Sequence, residues 1–153
     1  MALARTKGVS VPIIYDVDVL LGNITFEYVK GHRIKDVFDD LTVYQRKKIA
    51  YQMGVQIALL HNAEIIHGDL TTSNMILSDE MIYFIDFGLS EINNEIEAQG
   101  VDLHLLMEAL ESTHFRYSSS FKDVFKGYTD TYESNSDLVK HKIDEIVKRG
   151  RYR

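Results

Sequence analysis

Short apolar runs broken by turn residues fill the start of this chain, and helical spacing takes over after it. Val11 to Tyr15, Val19 to Leu21 and Ile24 to Val29 are rich in β-branched and aromatic residues, with Asp16-Val17-Asp18 and Gly22-Asn23 as turn signals between them. The spacing predicts two or three strands of a small antiparallel sheet. Asp16 and Asp18 also resemble the opening of a calcium loop, but the remaining ligands and closing Glu of that motif are missing, so a turn is the better reading.

Lys30-Gly31 interrupts the β pattern, and Ile34, Val37, Phe38 and Leu41 then recur at the offsets of a short amphipathic helix. Thr42-Val43-Tyr44-Gln45 has the form of a capping box and should open a long helix to about His61, with Ile49, Met53, Ile57 and Leu60 as its core stripe. Ile65-Ile66, Met75-Ile76-Leu77 and Met81 to Ile85 read as short strands, and residues near 97–110, 119–128 and 137–148 carry helical periodicity. A few strands followed by helices that enclose a hairpin make an α+β domain.

Composition narrows the classes. With 153 residues, 45% of them apolar, the chain can bury one good core, and a single globular unit is expected. The net charge of −6 argues against nucleic-acid binding over the whole surface, though not against a local basic patch. Without cysteine the chain has no disulfide and no thiolate metal site. Neither a signal peptide nor an apolar run of membrane-spanning length is visible, so a soluble, cytoplasmic protein is expected.

Chemistry concentrates in His67-Gly68-Asp69-Leu70-Thr71-Thr72-Ser73-Asn74, followed twelve residues after Asn74 by Asp86-Phe87-Gly88. The first matches H-x-D-x-x-x-x-N, in which the Asp takes or orients the proton of an attacking hydroxyl and the Asn coordinates metal; the second is D-F-G, whose Asp holds magnesium. The flanking strands bring Asp69, Asn74 and Asp86 to one end of a small sheet. Two carboxylates and an amide oxygen converging there call for a hard cation between them, and Mg²⁺ with ATP phosphates meets that need. Each motif alone is an ordinary loop composition; both in this order, with a hydrophobic hairpin between, make a strong joint signal.

The order of elements resembles the protein-kinase fold from the middle of its small lobe onward: a mainly helical large lobe with a partial antiparallel small-lobe sheet. The resemblance implies that Phe26-Glu27-Tyr28-Val29 is the last small-lobe strand and hinge, with Glu27, Tyr28 and Val29 holding adenine. It also implies that Asp102 anchors the catalytic-loop backbone. Residues 1–29 would be the remnant of a small lobe and hinge, and residues 30–153 the large catalytic lobe with a basic tail. Gly68 stands where most protein kinases have Arg, and Thr71 where they keep a Lys. About fifteen residues separate Asp86 from Asp102, with no A-P-E sequence. Control by activation-loop phosphorylation and docking of long peptides are therefore not expected.

These stretches, with Ile85 to Leu89, Ala109-Leu110-Glu111-Ser112-Thr113-His114 and the ending Lys148-Arg149-Gly150-Arg151-Tyr152-Arg153, are similar to the small atypical kinase of the KEOPS complex, the p53-related protein kinase family. That family serves threonylcarbamoyl modification of adenosine 37 in tRNA and in archaea is sometimes fused to the threonylcarbamoyl transferase. Aminoglycoside-type phosphotransferases share His-Gly-Asp but continue differently. The resemblance implies a Mg-ATP-dependent serine/threonine kinase or ATPase, with Asp69 as catalytic base or water-positioning group and Asn74 and Asp86 as metal ligands. His67 is expected to brace the loop, and His32, His61, His104, His114 and His141, which share no metal spacing, to be structural.

The implied partners are the transferase subunit, a small regulatory subunit and tRNA. Basic residues outnumber acidic ones from Lys140 to Arg153, and that tail would supply phosphate contacts; a helix end complementing its dipole explains Lys148 and Arg149 equally well. A glycine-rich loop and a strand Lys paired with a helix Glu are absent, and Lys7 suits the end of the Glu-bearing helix. The expectation is a fragment in which Met1 is an internal methionine. A non-catalytic docking module for the transferase is the alternative reading.

Overall fold

The computed structural model describes residues 1–150. Helix α1 (Ala2–Thr6) precedes strands β1 (Ile14–Asp18) and β2 (Asn23–Phe26), which form an antiparallel hairpin. The sequence reading misplaced its turn. Asp16-Val17-Asp18 is strand, and residues 19–22 make the turn, because the Asp18 carboxylate accepts the Leu20 and Leu21 N–H groups at 3.0 and 2.9 Å. The run Val19 to Leu21 is therefore not a third strand.

A two-residue strand β3 (His32–Arg33) leads into helix α2 (Ile34–Val37) and a 3₁₀ turn over Phe38–Asp40. Helix α3 (Val43–Asn62) starts at the expected capping box: Gln45 N–H donates to Thr42 Oγ1 at 3.3 Å, and Thr42 N–H to Gln45 Oε1 at 3.0 Å. Ile49, Met53, Ile57 and Leu60 are all buried. Each such side chain removed from water contributes about 1.5–3 kcal/mol.

Strand β4 (Ile65–Ile66) pairs with β7 (Glu91–Ile92), while β5 (Met75–Ser78) and β6 (Met81–Phe84) form a hairpin that β3 extends on the β5 side. Its two-residue turn, Asp79-Glu80, has both residues at positive φ, +46° and +66°, the backbone a tight hairpin demands. Helices α4 (Ile96–Thr113), α5 (Phe121–Thr131) and α6 (Ser136–Gly150) complete the domain, with a 3₁₀ segment over Phe115–Ser120 between α4 and α5. The α3 and α5 backbones touch where a Cβ on Gly54 would meet the Val124 carbonyl and one on Gly127 the Tyr51 carbonyl. The core joins Leu103, Leu106 and Leu110 of α4 to Val124 and Tyr128 of α5 and Val139 and Ile143 of α6. Among the described residues no helix is long and apolar enough to cross a membrane.

Candidate active site

The loop after β4 is held by its own backbone. Asp102, on the buried face of α4, accepts the His67 N–H on Oδ2 and the Gly68 N–H on Oδ1, both at 2.9 Å. This is the anchoring role expected of it. His61 Nε2 lies 3.1 Å from the same carboxylate, and His61 Nδ1 is 3.0 Å from the Tyr128 hydroxyl. Burial first, then the neighbouring Tyr132 and Asp102, pushes that phenol above its usual range, so it keeps its proton. Gly68 sits at φ +81°, and a Cβ there would strike the Leu89 carbonyl. Any larger residue, including the Arg of most protein kinases, would have to displace the segment after β6.

His67 braces the loop from below. Its Nε2–H donates to the Ile85 carbonyl at 3.0 Å and its Nδ1 accepts the Asp69 N–H at 3.3 Å, a pairing that requires the neutral ring. The ring lies 4.6 Å from Phe87 and 6.0 Å from Phe84 between centroids. Burial lowers its pKa below the usual value near 6.5, against the opposing pull of Asp102, the Ile85 carbonyl, Asp69 and Asp86.

Asn74 ties the loop across itself. Its Nδ2 donates to the Asp69 carbonyl at 3.0 Å and to Asp69 Oδ2 at 2.8 Å. Both amide protons are thereby committed, which leaves Asn74 Oδ1 and Asp69 Oδ1 without a protein hydrogen bond among the described residues. Asp86 follows β6 in the left-handed region at φ +59°, its Oδ1 accepting the Gly88 N–H at 3.3 Å. A non-glycine residue held there stores strain, and its carboxylate is exposed.

Asp86 also borders a cleft of about 670 Å³ between the β1–β2 hairpin and the β5–β6 hairpin. Pro12, Ile14, Ile24 and Phe26 form its upper wall, Ile76, Ile85, Phe87 and Gly88 its lower one, and Glu27, Tyr28 and Val29 its back edge. Glu27, Tyr28 and Val29 thus line the cleft, and the Glu27 side chain is engaged within the fold. The Glu27 carboxylate is taken by the Ile13 N–H at 2.9 Å and the Glu27 N–H by the Ile13 carbonyl at 2.7 Å. What Glu27 can offer a ligand is its carbonyl, because the side chain closes the end of the hairpin. Ile14, Ile24, Ile76 and Ile85 were not singled out from sequence as lining residues; their apolar character beside Glu27 and Asn74 was the available signal.

The donors fit the groups the sequence implied. An apolar slot edged by peptide groups suits a planar base, and Asn74 Oδ1 with the Asp86 carboxylate is an all-oxygen set of the kind Mg²⁺ accepts alongside phosphate and water. No Lys, Arg or His side chain among the described residues lines the cleft. Among the described residues no three His, Cys, Asp or Glu side chains gather into a metal cage. His61 and His114 are buried and hydrogen-bonded, while His104 and His141 face Glu108 and Glu145 one turn along their helices. The basic tail is partly used within the fold: Lys142 pairs with Glu97 and Glu145 at 2.8 and 2.6 Å, and Arg149 with the same two at 3.2 and 3.3 Å. Arg151, Tyr152 and Arg153 lie outside the described residues.

Residues 14–122 match the protein kinase domain family. Among solved structures, that of WaaP in complex with acyl carrier protein superposes with a TM-score of 0.71 over 96% of this chain and 72% of that one, at 11% identity, which is a likeness of fold. The loop, the D-F-G strand end and the cleft thus belong to a protein-kinase domain. The chain is 48% identical over 152 residues to KEOPS complex subunit Bud32 of Pyrococcus abyssi, covering 98% of this chain and 69% of that protein. It is 39% identical over 153 residues to the probable serine/threonine-protein kinase BUD32 homolog of Archaeoglobus fulgidus, covering 72% of it. Within the kinase class, the chain belongs to the Bud32 family. It is also 40% identical over 149 residues to the probable bifunctional tRNA threonylcarbamoyladenosine biosynthesis protein of Methanobrevibacter smithii, of which it spans 26%.

Proposed function

We propose that the protein of which this chain is the kinase domain is a Mg-ATP-dependent atypical serine/threonine kinase or ATPase. It would act in the cytoplasm in support of threonylcarbamoyl modification of adenosine 37 in tRNA. The observation that carries the reading is the Asn74 amide. It spends both protons on Asp69, which leaves its own oxygen and one Asp69 carboxylate oxygen without a hydrogen bond among the described residues, and its backbone carbonyl accepts the Ile85 N–H at 3.0 Å, one residue before Asp86.

When bound, Mg-ATP supplies an activated phosphoryl group and the charge that neutralises it in flight. The chain's own residues do the rest. Asp69 Oδ1 would receive the proton of the attacking hydroxyl or water, Asn74 and Asp86 would hold the cation through their oxygens, and the cleft edge at Glu27, Tyr28 and Val29 would orient the base. Residues 89–95 alone join Gly88 to α4: the end of a turn, the two residues of β7 and a three-residue link. That path leaves little room for a peptide groove and favours water or a hydroxyl of the protein's own complex as acceptor. The transferase subunit, a small regulatory subunit and tRNA are the proposed partners. The KEOPS and tRNA-modification names of its relatives support this assignment.

Magnesium-dependent ATP hydrolysis by wild type, with loss of about two orders of magnitude in Asp69→Asn and an unchanged fold, is the expected result. Equal rates in the two proteins would refute the role of Asp69. The lack of a Lys, Arg or His side chain in the cleft lining, among the described residues, favours a second reading, a docking module for the transferase. That reading predicts binding to the transferase with no nucleotide affinity.

A further inference from the structure

The catalytic loop is held at a second place that the anchoring Asp102 does not explain. His114 caps the end of α4, is 1% exposed, and has both ring nitrogens engaged. Its Nδ1–H donates to Asp39 Oδ1 at 2.5 Å, since a carboxylate accepts only, and its Nε2 lies 3.1 Å from Thr72 Oγ1. Thr72 is itself buried, three residues after Asp69 and two before Asn74.

Asp39 is equally well fixed. The 3₁₀ turn that carries it is gripped by the buried Arg46, whose guanidinium donates to the carbonyls of Phe38, Asp39 and Leu41 at 3.2, 3.1 and 2.5 Å. The Phe38 ring packs 5.0 Å from the His114 ring, and the same guanidinium covers Tyr117 at 3.4 Å from its centroid. Asp102 and His114 stand twelve residues apart on one helix, about 18 Å along its axis. One rigid element therefore grips the loop at its entry and at its middle.

We infer that His114 is a positioning residue for the proposed phosphoryl-transfer site: by clamping Thr72 to Asp39 it sets the spacing between Asp69 and Asn74. It touches neither residue and acts through the loop backbone. The consequence is specific. Removing the clamp loosens the segment across which Asn74 reaches back to Asp69, while the apolar cleft and hinge, built from other elements, keep their shape.

The inference rests on the proposed function for its catalytic meaning but not for its geometry, and the test separates the two. The full chain is compared as wild type, Thr72→Val, Thr72→Ser and His114→Gln, by amide hydrogen exchange of residues 69–75, nucleotide affinity, and the split of ATP turnover into kcat and KM. Thr72→Val keeps the side-chain shape and removes the hydroxyl. It should speed exchange in that segment about tenfold with exchange in α3 and α5 unchanged, lower kcat by about tenfold, and move KM and nucleotide affinity by less than about twofold. Thr72→Ser should restore both exchange and kcat, and His114→Gln should behave like Thr72→Val. Unchanged loop exchange in Thr72→Val, or failure of Thr72→Ser to restore it, overturns the inference. Faster exchange in a chain whose wild type hydrolyses no ATP would uphold the clamp and count against the kinase reading instead.

Discussion

Below the cleft, Leu70, Met75 and Phe84 are fully buried, and the loop that carries Asp69 is fastened by Asp102, His67 and Asn74. Above it, every residue of β2 is exposed, and Val19, Leu20 and Leu21 at the hairpin turn are 84, 98 and 73% exposed. The lower side holds Asp69, Asn74 and Asp86, on which the proposed chemistry would depend, and each has at least one hydrogen bond to set it. The upper side lines the cleft with apolar surface that would meet a base in the proposed function, and a two-stranded hairpin has little packing of its own to stiffen it. Geometry for catalysis and surface for binding are thus built with different rigidity, and substitutions should tell them apart.

The largest effect belongs to Asp102→Ala. It strips the acceptor from two backbone N–H groups and from His61 in a buried place, and should cost about 3–5 kcal/mol of stability, measured by urea unfolding. A loss under about 1 kcal/mol would show that the loop is held by other means.

His67 gives an effect of intermediate size, visible as pH dependence. Burial lowers its pKa from 6.5, so the unfolded chain binds more protons than the folded one between the lowered value and 6.5. Its contribution is complete above about pH 6.5 and is lost as pH falls through that window. Wild type should lose more stability on acidification there than His67→Gln; parallel pH profiles would contradict the buried neutral ring.

Ile24→Ala should change stability least. Ile24 is 52% exposed yet lines the upper wall, so unfolding should shift by no more than about 0.5 kcal/mol, while nucleotide affinity weakens several-fold. A large loss of stability with affinity intact would reverse the contrast between the two sides.

Much of the lower side was legible in sequence because its signals are local. The capping box at Thr42 and Gln45 and the apolar stripe of α3 lie within one helix, Asp69, Asn74 and Asp86 fall within eighteen residues across one loop and one hairpin, and Asp102 was reached through resemblance. The hairpin above was harder. Its strands have no buried face to impose alternation, so Asp16 and Asp18 looked like turn residues when only Asp18 starts the turn. Strands β3 and β7, two residues each, carry no period to read. The Asp39–His114–Thr72 clamp joins positions 75 and 42 residues apart, and nothing in either neighbourhood announces the other.

In the proposed function, Asn74 and Asp86 would present oxygens to a cation held with the nucleotide. Calorimetric titration of ATP into the chain, with and without Mg²⁺, in wild type and Asp86→Ala separates the cation's contribution from that of the cleft. Mg²⁺ should tighten ATP binding to wild type by about tenfold or more, and Asp86→Ala should remove this gain while leaving magnesium-free affinity within about twofold. An equal magnesium effect in both proteins would contradict the proposed cation role.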